Sequence, residues 1–335
     1  MKKTKVMRLL SLLLVMTLIS TCAISGTFAK YVTRASGEDQ ARVAKWGVLV
    51  TVDGTTFADK YAATDAGYLE DGGKYSVVSS VEGEQVVAPG TNSEQAGGKL
   101  VATVKGTPEV AARYTLEGKA VTDVVLKKGT YTDYTQLVKG TDGKYGYTGK
   151  FTLKKDYAPI KWNLVIKKGD TTVNVADLLY ANLPAANIAQ AEEYGLTPGG
   201  CSIFDAITII QKVAGNEGYK NIVEAALGQV VSGGRNFELT ATENKEDGTK
   251  SFMLSYDFDP NKEMDFTFEL TWEWAFETDS DKNVPAVMGT VNEESVDVRD
   301  MADTYLGNVA AGVVTDDNAS TTIKATFIAT ATQID

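Results

Sequence analysis

The 335-residue chain contains no histidine. That absence removes the Ser-His-Asp and Cys-His nucleophile arrangements and the HExxH zinc site together, because each needs an imidazole as base or ligand. A metal site could use only carboxylate, amide, carbonyl or thiol groups, which argues against zinc proteolysis. Cysteine is nearly as scarce, with Cys22 and Cys201 alone. Cys22 falls in a segment read below as a signal, so Cys201 is the sole mature cysteine and no intrachain disulfide can form. Stability must then come from core burial. A lone thiol with no base beside it reads as a small buried apolar group rather than a nucleophile. Phosphate-loop spacing is missing too, since Gly97-Gly98-Lys99 lacks both the earlier Gly and a following Ser or Thr. The chain reads as a non-enzyme, with no catalytic, cofactor-binding or metal-binding residues.

Positive charge is also short. Lys and Arg number 33 against 44 Asp and Glu, a net of −11. Lys2, Lys3, Lys5 and Arg8 belong to the signal, which has no acid, so the mature balance is 29 − 44 = −15. Such a chain is repelled by nucleic acid and by anionic lipid. It suits a soluble secreted subunit that must not aggregate before assembly.

What is present begins with export. The basic n-region precedes an apolar run over residues 9–24, then Thr27-Phe28-Ala29 offers a small-x-small site, with cutting expected after Ala29. The run is shorter than the roughly 20 residues a membrane span needs, an uncleaved anchor being the competing reading. Lipidation at Cys22 is a second alternative, disfavoured by Thr21 just before it. Lys30 becomes the new N-terminus, residues 1–29 a signal helix, and residues 30–335 a domain large enough to bury a sizeable core. Membrane contact is expected only through the precursor's signal.

Lys30, Tyr31, Val32 and Thr33 are β-prone, and residues 34–40 are polar and include Gly37. Ala44, Trp46, Val48, Val50 and Val52 then alternate with their neighbours, as in a half-buried strand. Residues 61–96 read as long Gly-rich loops with a short strand or two. Leu100, Ala102 and Val104 make a strand stopped by Gly106-Thr107-Pro108, another begins near Val110, residues 120–155 read as short Tyr- and Thr-rich hairpins, and Trp162, Leu164 and Ile166 form a further strand. Between residues 174 and 232 the period turns helical. Val175, Leu178 and Leu179 start one helix, Ser202 with Asp205 caps a second through Ile203, Ala206, Ile207 and Ile210, and Ile222, Ala225 and Ala226 suggest a third. We read this as a helical insertion on one end or face of the sheets, with a separate helical domain as the alternative.

The strongest β pattern comes late. Phe252, Leu254, Tyr256 and Phe258 alternate, Asp259-Pro260-Asn261 turns the chain, and Phe266, Phe268, Leu270, Trp272, Trp274 and Phe276 alternate again. Two such runs around a turn predict a hairpin at the centre of the core. A last strand carries Ile323, Ala325, Phe327 and Ala329. The alternation predicts antiparallel sheets, and the economical architecture is a mainly β, jelly-roll-like sandwich in a single domain. Asp279-Ser280-Asp281-Lys282-Asn283 copies the first three ligand positions of a calcium loop, but Val284 and Thr290 stand where Gly and Glu are needed, so a solvated loop is the better reading and weak calcium binding the alternative. Glu192-Glu193 reads as polar linker.

Several segments together resemble a known family. The GTFA cleavage region, Ala41-Arg42-Val43-Ala44-Lys45-Trp46, Val87-Ala88-Pro89-Gly90-Thr91, Gly106-Thr107-Pro108-Glu109-Val110, Trp272-Glu273-Trp274-Ala275-Phe276-Glu277 and Asp303-Thr304-Tyr305-Leu306-Gly307 are similar to the TasA and camelysin family of Gram-positive surface and biofilm-matrix proteins. The resemblance implies a secreted filament subunit, a homo-oligomer processed by a SipW-type signal peptidase. Its mature N-terminus, here Lys30, Tyr31, Val32 and Thr33, would add as a strand to the next copy. It implies that Asp300 and Asp303 shape a loop after the Trp-rich strand. Camelysin-like proteins have been labelled metallopeptidases, which the missing histidines oppose. Lys30 is an extra basic residue relative to that pattern. The alternative is a monomeric cell-surface binding module working through the loops at residues 61–96 and 131–147.

Overall fold

The computed structural model describes residues 43–64, 69–70, 72–122, 124–244, 249–275 and 286–334. The expected signal, the expected cleavage residues Thr27, Ala29 and Lys30, the expected donor residues Tyr31, Val32 and Thr33, Gly37, Phe276 and the acidic segment 279–283 lie outside them.

The chain is mainly β. Its principal strands are β1 (Leu49–Asp53), β2 (Thr91–Asn92), β3 (Leu100–Gly106), β4 (Ala112–Thr122), β5 (Gly129–Thr132), β6 (Lys150–Leu153), β7 (Lys161–Lys168), β8 (Thr171–Asn174), β9 (Gly234–Glu243), β10 (Lys250–Phe258), β11 (Met264–Trp274), β12 (Met288–Val291), β13 (Glu294–Asp297) and β14 (Lys324–Gln333). Among the described residues its principal helices are α1 (Val175–Ala181), α2 (Ala185–Glu193), α3 (Ile203–Val230) and α4 (Arg299–Ala310). One sheet runs β1-β3-β11-β7-β8, with β2 on the end of β11; a second runs β9-β10-β4-β14; a smaller third runs β13-β12-β6-β5. Every pairing is antiparallel, as the alternating patterns predict.

The first two sheets face each other across aromatic rings. Tyr114 of β4 stacks on Phe268 of β11 with centroids 5.6 Å apart, and Phe258 of β10 meets Phe266 of β11 at 6.0 Å. Phe266, Phe268, Leu270, Trp272 and Trp274 are all buried, on one face of the strand as their spacing requires. In register, Trp162, Leu164 and Ile166 of β7 lie opposite Trp272, Leu270 and Phe268. Burying each such side chain is worth roughly 1.5–3 kcal/mol.

The expected central hairpin is not formed. β10 pairs with β4 and β9, whereas β11 pairs with β3 and β7, so the chain crosses from one sheet to the other at Asp259-Pro260-Asn261. Asn261 adopts φ 61° and donates its N–H to the Pro108 carbonyl at 2.7 Å, pinning the crossing. Two strands with strongly apolar faces bury more by opposing those faces than by lying side by side in one sheet, where both faces would still need a cover. The first predicted strand also begins late. Gly47 adopts φ 54°, and the backbone at Gly106 approaches so closely that a Cβ there would sit 2.4 Å from the Gly47 carbonyl oxygen, so pairing with β3 starts only at Leu49.

The helical interruption falls where the period changes. Asn174 caps α1 through its side chain, accepting from the Ala176 N–H at 2.9 Å. Ser202 is the residue before α3, yet it makes no capping hydrogen bond; the Trp162 N–H points to its hydroxyl at 3.4 Å instead. The expected second and third helices are both present, running end to end within α3 and separated at Gly215, whose φ of 68° and ψ of 171° are not helical. Two helices differ from expectation: Glu192 and Glu193 belong to α2 rather than a linker, and Asp300 and Asp303 lie on α4 rather than in a loop. α3 packs on β9, β10 and β7, closing one side between the two facing sheets. The Tyr219 hydroxyl donates to the Leu239 carbonyl at 2.8 Å, and the Phe237 N–H donates to Glu224 at 3.0 Å.

Phe268→Ala should lower unfolding free energy by about 3–5 kcal/mol in denaturant titration. Ile328→Ala, at a side chain 37 % exposed on the outer face of β14, should cost under about 1 kcal/mol. Equal costs would contradict this placement of the core.

Candidate functional sites at the end and the open side of the sheets

A cleft of about 530 Å³ opens at one end of the sheets. Its wall includes Tyr157, Lys161, Cys201, Ser202, Glu273, Arg299 and Asp303. α4 presents Asp303 because Ala302, Tyr305 and Leu306 on neighbouring helical positions are buried beneath it. One Asp303 oxygen accepts from the Tyr157 hydroxyl at 2.7 Å, and the other faces the Trp274 indole N–H at 3.3 Å. Burial pushes this carboxyl up to about 7, against the pull of those two donors and with help from the Asp300 charge. Burial and the same carboxyl raise the Tyr157 hydroxyl far above its ordinary value. The trio ties α4 to the end of β11 and to the loop before β7. With both oxygens engaged, Asp303 acts as a clamp rather than a free base.

Across the cleft, Lys161 pairs with Glu273 at 2.8 Å and also donates to the Gly199 carbonyl at 2.7 Å. Cys201 is buried, and burial raises its thiol to about 12, which suppresses the reactive thiolate. Among the described residues no cluster of three potential metal ligands occurs. The Glu192 carboxylate accepts from the Tyr180 hydroxyl at 2.7 Å, joining α2 to α1.

The second site is the side opposite α3. There β1 and β14 come within 8 Å of each other at their Cα atoms without forming a ladder, and among the described residues each pairs on one side only. Their inward positions are incompletely covered. Trp46, Val48, Val50, Ala325 and Ala329 are half-buried against the core, and Val52 is 38 % exposed. Small side chains on β14 leave this side shallow, while α3 covers the other with Ile207, Ile210 and Ile222 buried. The alternation of residues 44–52 was legible in sequence; that β1 is an edge strand among the described residues was not, because edge status depends on which distant strands pair.

Two outcomes follow from the cleft. Between about pH 4 and pH 7 the folded state holds a proton on Asp303 that an unfolded chain has released, so this group's contribution to stability declines as pH rises through that window. The thermal stability of Asp303→Asn relative to the parent should therefore increase from pH 5 to pH 8; a pH-independent difference would contradict the assignment. Cys201 should react with a thiol reagent only at the unfolding rate, and fast native labelling would contradict its burial.

Comparison with family models, with curated proteins and with solved structures returned no match.

Proposed function

We propose that the chain is a secreted structural subunit of an extracellular, biofilm-matrix filament. In this reading the signal helix is removed after Ala29 by a SipW-type peptidase, and the paired sheets form a jelly roll of the TasA and camelysin type. The observation that supports it is the open side at β1 and β14. Among the described residues β1 and β14 each leave one backbone edge unpaired beside apolar positions that are only half covered, and an incoming strand needs such an edge for hydrogen bonding and such positions for seating alternate side chains.

The freed segment has the reach to serve. Residues 30–42 can span about 40 Å when extended, at roughly 3.3 Å per residue. β14 has ten residues, about 33 Å on the same rise. Tyr31 and Val32 would supply apolar anchors, and the polar stretch around Gly37 the joint. Before cleavage the signal holds this segment, so processing acts as the switch. Donation from copy to copy does not close on itself, and its product is a filament.

Electron microscopy and sedimentation of the chain beginning at Lys30, beside one lacking residues 30–40, test the reading. Filaments from the first and monomers from the second are expected. Monomers from both at high concentration would count against self-assembly.

A further inference from the structure

Charge is not spread evenly over this acidic protein. From Lys127 to Lys155 there are seven lysines, no arginine, and two aspartates, a local balance of 7 − 2 = +5 within a chain of −11. β5 and β6 in this stretch form an arm whose tip projects into solvent. Every residue from 135 to 145 is exposed.

The base of the arm is held firmly. Tyr131 lies 5.7 Å from Phe151 and 4.8 Å from Tyr305 of α4, and Tyr134 lies 5.0 Å from Tyr147. Asp133 is buried and accepts from the Thr135 N–H at 2.8 Å, while its own N–H bonds the Gly149 carbonyl at 2.9 Å. At the tip, residues 138–139 pair with residues 145–146, and the Gly140 N–H closes the turn onto the Lys144 carbonyl at 2.7 Å. The Tyr145 ring is 65 % exposed, with the Lys139 ammonium 5.8 Å from its centre. Tyr147, Leu137 and Val138 are exposed beside it. Among the described residues Lys128, Lys139, Lys144, Lys150, Lys154 and Lys155 make no ion pair, whereas Lys127 is taken by Asp156.

Unpaired lysines around an exposed, positioned tyrosine need a partner with negative charge and a flat apolar face. We propose that this arm docks on an anionic polysaccharide, the Tyr145 ring stacking on the C–H face of a sugar and Lys139, Lys144 and Lys150 meeting its carboxylates. Lysines are compact, hydrated charges suited to groups spaced along a polymer; the arm has no arginine forks of the kind that grip phosphodiesters. The acidic remainder of the protein repels the same polymer, so contact is confined to the arm and orients the subunit. The arm belongs to the third sheet and uses none of the residues of β1 or β14, so the proposal goes beyond the filament reading and stands without it.

Polygalacturonate is the probe, titrated into the dilute chain beginning at Lys30 at low and high salt. Binding is expected to weaken with salt, to fall about tenfold or more in the combined variant K139Q/K144Q/K150Q, and to fall in Tyr145→Ser but persist in Tyr145→Phe. Unaltered affinity in the triple variant would overturn the proposal. So would equal or tighter binding of polyglutamate, duplex DNA or anionic vesicles, because charge alone would then explain the contact. Circular dichroism of each variant separates lost binding from lost folding.

Discussion

A strand that carries Phe266, Phe268, Leu270, Trp272 and Trp274 on one face cannot stay half covered. The opposite sheet, with Tyr114, Tyr256 and Phe258 turned inward, exists to cover it. Burying Trp272 also places its indole and backbone polar groups out of water, where each needs a partner. The long segment before β3 supplies them: the indole donates to the Thr56 carbonyl at 2.6 Å, the Trp272 N–H donates to the Ser93 hydroxyl at 2.7 Å, and the Ser93 N–H returns to the Trp272 carbonyl at 3.0 Å. Phe57 and Tyr61 then pack on the same ring. A Gly-rich stretch that reads as loop is therefore fixed by one tryptophan's hydrogen-bonding needs. On the outer face of β11, Glu269 is buried between Lys99 and Lys167, each at 2.9 Å. Burial alone would raise this carboxyl, but the two lysines pull it below its ordinary value.

How far this was legible in the sequence depended on the range of the interaction. Period-two runs gave β7, β11 and β14 because each side chain's face is set by its own strand. The change of period at residue 174 and the pair Ser202 and Asp205 marked the starts of α1 and α3, because helix-start signals are local. The turn at Asp259-Pro260-Asn261 was visible, yet whether it joins neighbours in one sheet or crosses between two depends on β3 and β4, more than a hundred residues earlier. Asp303 could be noticed only as part of the segment Asp303-Thr304-Tyr305-Leu306-Gly307. Its clamp on Tyr157 and Trp274 joins residues 146 and 29 positions away, and no spacing rule reaches that far. The periodicity of Ala302, Tyr305, Leu306 and Val309 was the signal that should have identified α4.

The helical insertion gives the paired sheets two unlike sides. α3 spans from β7 to β9 and closes the interior, whereas among the described residues β1 and β14 approach without pairing and leave Val52 and the alanines of β14 partly wet. A sandwich finished on both sides has no use for another strand. One finished on a single side accepts one without dismantling its core, and the proposed assembly rests on that asymmetry.

Hydrogen exchange read by mass spectrometry, comparing dilute monomer with assembled protein, tests this most directly. Amides of β1 and β14 should gain protection on assembly, together with residues 30–42, while α3 and β7 stay unchanged. Protection gained on the outer surface of α3, with none at β1 or β14, would contradict it.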